Sequence, residues 1–186
     1  MSRCAVFLAE GFEEVEALTP VDLLRRAGIT CEMVSISDDL VVKGSHGIGV
    51  LADRLFADVD FSVLDMIILP GGQPGTNNLS LFKPLMDQVD YFASSGKPLA
   101  AICAAPTILG QRGLLGSKNA VCYPGLEDKL TGASTSDSSV VTDGQFTTSR
   151  GVGCAIDFSL DIIRRFCGDD EAARIAKAIV YAPYLD

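Results

Sequence analysis

The residues best suited to chemistry are a cysteine, a pair of glycines and a group of carboxylates, each placed where an apolar run ends. Cys103 closes the strand-like part of KPLAAICAAPTIL (97–109), and helix formers begin at the next residue. Its neighbours are small, with Ala101 before it and Ala104-Ala105 after it. Such residues fit a sharp strand-to-helix turn of the nucleophile-elbow kind. A helix opening at Ala104 would aim its amides and its positive end at the sulfur and favour the thiolate. Lowering a thiol pKa by ~2 units is worth about 2.7 kcal/mol and leaves it mostly ionised at neutral pH. The competing reading is a small core residue at a tight turn.

Pro70-Gly71-Gly72 follows the apolar run that ends at Leu69. Two glycines there let the backbone approach a ligand or take a positive φ. Their amides could hold a developing oxyanion, and the alternative is a plain turn. Glu10, Glu13, Glu14 and Glu16 gather in AEGFEEVE (9–16). For Glu13 and Glu14 the expectation is that they complement the dipole at a helix start. Glu16 lies deeper, between Val15 and Ala17. A carboxyl buried near a sulfur has its pKa raised, and once protonated it can hydrogen-bond a thiolate or shuttle a proton. The chain's one histidine, His46, lies in the turn Gly44-Ser45-His46-Gly47. Nearby sequence therefore builds no Cys-His-Asp triad.

The elements that must position these residues alternate between strand and helix patterns. Strands are expected at Cys4–Ala9, Thr30–Ser37, Asp65–Leu69, Leu99–Ile102 and Ala120–Tyr123. Helices are expected at Glu13–Ala27, about Ser80–Ser94, from Ala104, at Cys154–Phe166 and at Asp170–Tyr181. Val41–Phe56 reads as a short hairpin or excursion, and residues 140–148 as a hairpin with an Asp-Gly turn. Near-continuous apolar strands alternating with helices mean an α/β fold, a mostly parallel sheet covered on both faces. Strand-to-helix turns in such a sheet fall along one edge, where ligands bind. The acid, the glycine amides and the thiol would then share that rim.

Composition narrows the functions. The 186 residues form one domain with enough apolar content, 48%, for a full core. A net charge of −9, with no longer basic cluster than Arg25-Arg26 or Arg164-Arg165, argues against nucleic acid. No apolar run approaches the ~18 residues of a membrane span. The N-terminal apolar stretch meets acid at Glu10, too soon for a signal peptide, so the expected location is the cytoplasm. Six cysteines without a CxxC, beside one histidine, offer no zinc pattern and read as mostly reduced core residues.

Five stretches together resemble the DJ-1/ThiJ/PfpI superfamily, within its DJ-1-like branch. They are GFEEVEALTPVDLLRRAGI, ILPGGQPGTNNL, AAICAAPTIL, PGLEDKL and TTSRGVGCAIDF, in order over nearly the whole length. The resemblance implies a flavodoxin-like three-layer sandwich and a homodimer. It implies an oxidation-prone elbow cysteine at Cys103, a protonated glutamate against it at Glu16, and pocket amides at Gly71, Gly72 and Ala104. Two departures stand out. Many relatives carry a histidine near the nucleophile where this chain has Tyr123, which leaves proton handling to Glu16 and weakens a protease reading. His46 falls where DJ-1 itself has arginine, in a loop that the resemblance places near the partner subunit's pocket.

Two functions follow from that resemblance. One is an enzyme acting on reactive 2-oxoaldehydes such as methylglyoxal, or on early glycation adducts, with glutathione-independent glyoxalase or deglycase chemistry and neither metal nor organic cofactor. The other is an oxidative-stress sensor or chaperone-like protein that works by oxidation of Cys103 without turnover. A reactive thiolate serves both.

Overall fold

The protein is described here as a computed structural model covering residues 2–184. In chain order the elements are β1 (Arg3–Leu8), α1 (Glu14–Arg26), β2 (Thr30–Ser35), β3 (Val41–Lys43), β4 (Gly49–Leu51) and β5 (Arg54–Leu55). They continue with β6 (Met66–Leu69), α2 (Gly75–Leu81), α3 (Lys83–Ser94), β7 (Leu99–Ile102), α4 (Pro106–Gln111) and β8 (Asn119–Ala120). The chain finishes with β9 (Ser134–Thr135), β10 (Val140–Asp143), β11 (Phe146–Ser149), α5 (Ala155–Cys167) and α6 (Asp169–Ala178).

Seven strands form the central sheet in the order β10-β11-β7-β6-β1-β2-β5. All neighbouring pairs are parallel except β10 with β11. This is the mostly parallel α/β sheet that the alternating pattern implied, in the flavodoxin-like form that the resemblance implied. β1 shows why the strands read as unbroken apolar runs. Cys4, Val6 and Leu8 point into the core shared with α1, α5 and α6, while Ala5 and Phe7 point into the core shared with α3 and α4. With both faces covered, neither parity of the strand tolerates a polar residue.

The order also locates the switch point. From β1 the chain moves outward to β2 and β5, then returns to lay β6 on the other side of β1. The crevice between the carboxyl ends of β1 and β6 is where ligands enter folds of this kind.

Several expected elements come out differently. The long helix expected at Ser80–Ser94 is two, α2 and α3, with Phe82 between them at φ −80°, ψ 89°. Pro84, at the start of α3, has no N–H to continue a helix through Ser80. The strand expected at Ala120–Tyr123 is only β8, which pairs with β9 in a separate two-stranded sheet. The hairpin at 140–148 is not freestanding, since β11 lies parallel beside β7 in the main sheet. The excursion after β2 holds the β3–β4 hairpin and then adds β5 to the sheet edge. α4 opens at Pro106, two residues later than expected, after a turn through Cys103–Ala105. No helix among the described residues is long and apolar enough to cross a membrane.

Two of the rim turns are pressed together backbone to backbone. Gly75 N–H donates to Gly11 O at 3.1 Å and Glu13 N–H to Gly71 O at 2.9 Å. Gly11 has φ +83°, and a Cβ there would lie 2.4 Å from the Pro74 ring. Gly11→Ala should therefore strain the backbone and wedge the turns apart, costing about 1–3 kcal/mol. Chemical denaturation of the two proteins checks it, and an unchanged midpoint would mean the turns are not rigidly docked.

Candidate active site

Cys103 is the first residue after β7. Its N–H donates to Ser149 O on β11 at 2.9 Å, and its carbonyl accepts the Tyr123 N–H at 2.8 Å. Held from both sides, it takes φ +63°, a left-handed conformation uncommon outside glycine. This strained turn is the elbow that the small neighbours allow, and it presents the sulfur to a cavity of about 780 Å³. Glu13, Glu16, His46, Gly72, Tyr123 and Arg150 also line that cavity, with Pro124 and the Gly151–Cys154 turn.

Glu16 projects from the first turn of α1 and is fully buried. Its Oε2 accepts the Gly71 N–H at 3.0 Å, while Oε1 has no hydrogen-bond partner among the described residues. The carboxyl and the Cys103 thiol hydrogen-bond each other. Gly71 is the spacer that lets them meet. A Cβ on Gly71 would lie 2.6 Å from Glu16 Oε2 and 2.7 Å from Cys103 Cβ. The sequence placed Gly71 among the amides that hold substrate, but its amide is engaged by Glu16. The amides of Ala104 and Gly72 interact with the sulfur and act to lower its pKa.

Burial raises the Glu16 carboxyl to about 7, against the hydrogen bonds from Cys103 and the Gly71 amide, which lower it. Burial also pushes the Cys103 thiol up, to about 12, with the charge and hydrogen bond of Glu16 adding to the rise. The expectation that a helix end alone would depress the thiol is thus corrected. α4 opens at Pro106, and the two amides do not outweigh burial beside a carboxylate. The two groups titrate as a pair, so the proton lost near pH 7 belongs to the pair and not to either group alone.

Glu14 does more than complement the helix dipole. It is buried at 4% exposure and accepts the backbone N–H of His46 at 2.8 Å, with His46 Nδ1 at 2.9 Å from its second oxygen. Burial alone would raise Glu14, but hydrogen bonds from the His46 ring and from the amides of Glu14, His46 and Ile48 bring it to about 2. The same contact raises the His46 pKa, with Glu13 adding to it. Within the chain, His46 lines the same cavity as Cys103. The ligand atoms of Glu13, Glu14 and His46 lie within 4.8 Å of one another, close enough to share a cation. The imidazole already pairs with both carboxylates, and Ser45 Oγ donates to Glu13 at 3.2 Å.

Tyr123 occupies the position where the resemblance led to a histidine, and it is 53% exposed on the cavity wall. Arg150 and Cys154 were not singled out from sequence. Arg150 extends β11 by one residue, and Cys154 precedes α5, placements that only strand register reveals.

Two outcomes follow. Between pH 4.5 and 7 the folded protein holds a proton on Glu16 that the unfolded chain has lost, so stability falls as pH rises through that window, by about 3 kcal/mol. Glu16→Gln should thus raise the melting temperature at pH 8 and leave it nearly unchanged at pH 4.5, which thermal unfolding checks. The chain's one histidine should titrate above its ordinary value by NMR and return toward it in Glu14→Gln, because the carboxylate holds the proton on the ring. An ordinary His46 titration in the unsubstituted protein would contradict the clamp.

Comparison with known proteins places this site. The description "DJ-1/PfpI family" covers residues 2–165. "Protein DJ-1 homolog B" of Arabidopsis thaliana is 38% identical over 178 residues, which are 95% of this chain and 41% of that protein. The chain thus spans less than half the length of that plant relative. A protein of Pyrococcus abyssi named a deglycase is 32% identical over 153 residues, 81% of this chain and 91% of the relative. The solved structure "Toxoplasma gondii DJ-1, oxidized" superposes with a TM-score of 0.93 at 33% identity, covering 98% of this chain and all of the other. With a match across most of its length and the same fold at that identity, the chain belongs to the DJ-1/PfpI family.

Proposed function

We propose that the protein converts small 2-oxoaldehydes such as methylglyoxal to 2-hydroxy acids, or releases the same aldehydes from early glycation adducts. The observation that carries this reading is the Glu16 carboxyl held against the Cys103 sulfur, with the Ala104 and Gly72 amides favouring the thiolate. The deglycase name of the archaeal relative points the same way.

The chemistry follows from the pair. With the shared proton on Glu16, the Cys103 thiolate attacks the aldehyde carbon. The carbonyl oxygen gathers charge beside the two amides and takes the proton from Glu16, giving a hemithioacetal. Glu16, now a carboxylate, removes the hydrogen from the former aldehyde carbon. It returns that proton to the adjacent ketone carbon while the hydroxyl proton passes from the first oxygen to the ketone oxygen, leaving a thioester of the hydroxy acid. Water then cleaves the C–S bond and restores the thiol. Glu16 Oε1, without a hydrogen-bond partner among the described residues, is the oxygen placed to carry these protons. The steps call for neither metal nor organic cofactor. A second reading, redox sensing by Cys103, is favoured by the exposure of that sulfur to the cavity and by the oxidised state of the Toxoplasma gondii relative.

Incubation with methylglyoxal, followed by NMR detection of lactate, tests the proposal. Catalytic lactate should form with the unsubstituted protein. It should vanish in Cys103→Ser and fall by at least ~100-fold in Glu16→Gln, the usual scale for losing a general acid–base. Stoichiometric adduct formation on Cys103 without lactate would reject the enzyme and leave the sensor.

A further inference from the structure

A second thiol lines the cavity of Cys103, and the aldehyde chemistry gives it no task. Cys154 is partly buried and closes the turn between β11 and α5. We propose that Cys154 is the resolving thiol of Cys103, closing an intramolecular disulfide after a peroxide has oxidised the first sulfur. This rests on the accessibility of Cys103 and not on the aldehyde reading.

Strand register brings the two cysteines to the same place. β7 and β11 run parallel with Ile102 opposite Ser149, and the Cys103 N–H bonds Ser149 O at 2.9 Å. Arg150 and Cys103 are thus the first residues beyond that last strand pair, and both line the cavity with Cys154. The chain then folds back in a single turn, in which the Cys154 N–H donates to Gly151 O at 2.8 Å. A disulfide needs Cα atoms roughly 4.4–6.8 Å apart. Gly151 and Gly153 on either side of Val152 give the turn freedom to reach that separation, and a Cβ at Gly153 would meet nothing within 4 Å.

The other cysteines are placed elsewhere. Cys4 and Cys31 face each other across β1 and β2 inside the core. Cys122 packs in the apolar cluster on the opposite face of the sheet from the one Cys103 touches. Cys167 lies at the far end of the 13-residue α5, about 20 Å from Cys154.

The steps balance. The Cys103 sulfur attacks one peroxide oxygen, the O–O bond breaks, and Cys103 becomes a sulfenic acid as water leaves. The Cys154 sulfur then attacks the Cys103 sulfur, forming the S–S bond and breaking S–O. The departing hydroxide takes the Cys154 proton and leaves as a second water. The two thiols together supply the two electrons that reduce the peroxide. Closure spares Cys103 from sulfinic acid, which thiols do not reverse.

The test treats the native chain with at least two equivalents of hydrogen peroxide, the amount a sulfinic acid requires, alkylates the remaining thiols, and maps peptides by mass spectrometry without reduction. The expected result is a peptide linking Cys103 to Cys154 at a mass two hydrogens below the sum of its parts. Cys154→Ser should lose the link and carry Cys103 to sulfinic acid. Serine is a favoured residue ahead of a helix, so α5 should keep its start. Cys122→Ser should retain the link. Sulfinic Cys103 with an alkylated Cys154 in the unsubstituted protein overturns the proposal, and so does a bridge from Cys103 to any other cysteine.

Discussion

The contact between the Glu16 carboxyl and the Cys103 thiol brings together two acids that burial would rather keep neutral, and the rest of the rim is built around tolerating it. Desolvation raises both groups, so the site resists carrying two negative charges at once. Reactivity then depends on where one proton resides. The amides of Gly72 and Ala104 favour the sulfur as the charged partner, while the Gly71 amide favours the carboxylate. These amides pull the proton in opposite directions, which suits a pair that must both give and take it.

Around the pair, the backbone leaves little slack. Gly71 has no room for a Cβ between carboxyl and thiol, and Gly44 has none against the Glu14 side chain. Glu14 anchors the 44–48 loop through amides and the His46 ring, so one helix start fixes both the buried acid and the cavity's outer wall. Adjacent carboxylates thus have opposite fates. Glu14 is surrounded by donors and is strongly acidic, whereas Glu16 meets a thiol and a single amide and holds its proton to neutrality.

The sheet and the elbow were legible in sequence because apolar strands and small residues leave local signals. LAAICAA marks both the strand and its turn, and the two glycines after Leu69 mark the neighbouring turn. What could not be read was the direction of each hydrogen bond. Gly71 and Gly72 look alike in sequence, yet one amide binds Glu16 and the other faces the sulfur. The same limit hid the work of Glu14, whose acidity and position already fitted a helix start. The effect on the thiol was misjudged because local pattern pointed to a helix beginning at Ala104, while burial in the fold and the Glu16 carboxyl from the far-off α1 outweigh it. Arg150 and Cys154 needed the pairing of β7 with β11 to be noticed.

The backbone bond from Cys103 to Ser149 has a consequence for synthesis. The elbow is braced by a strand made about fifty residues later, and its acid comes from the first helix of the chain. A nascent chain that has passed Cys103 but not reached β11 lacks the brace for the strained turn. During translation the cysteine is thus an ordinary flexible thiol, and its special environment appears only as the sheet closes. Priming of the sulfur is in this sense a readout of completed folding.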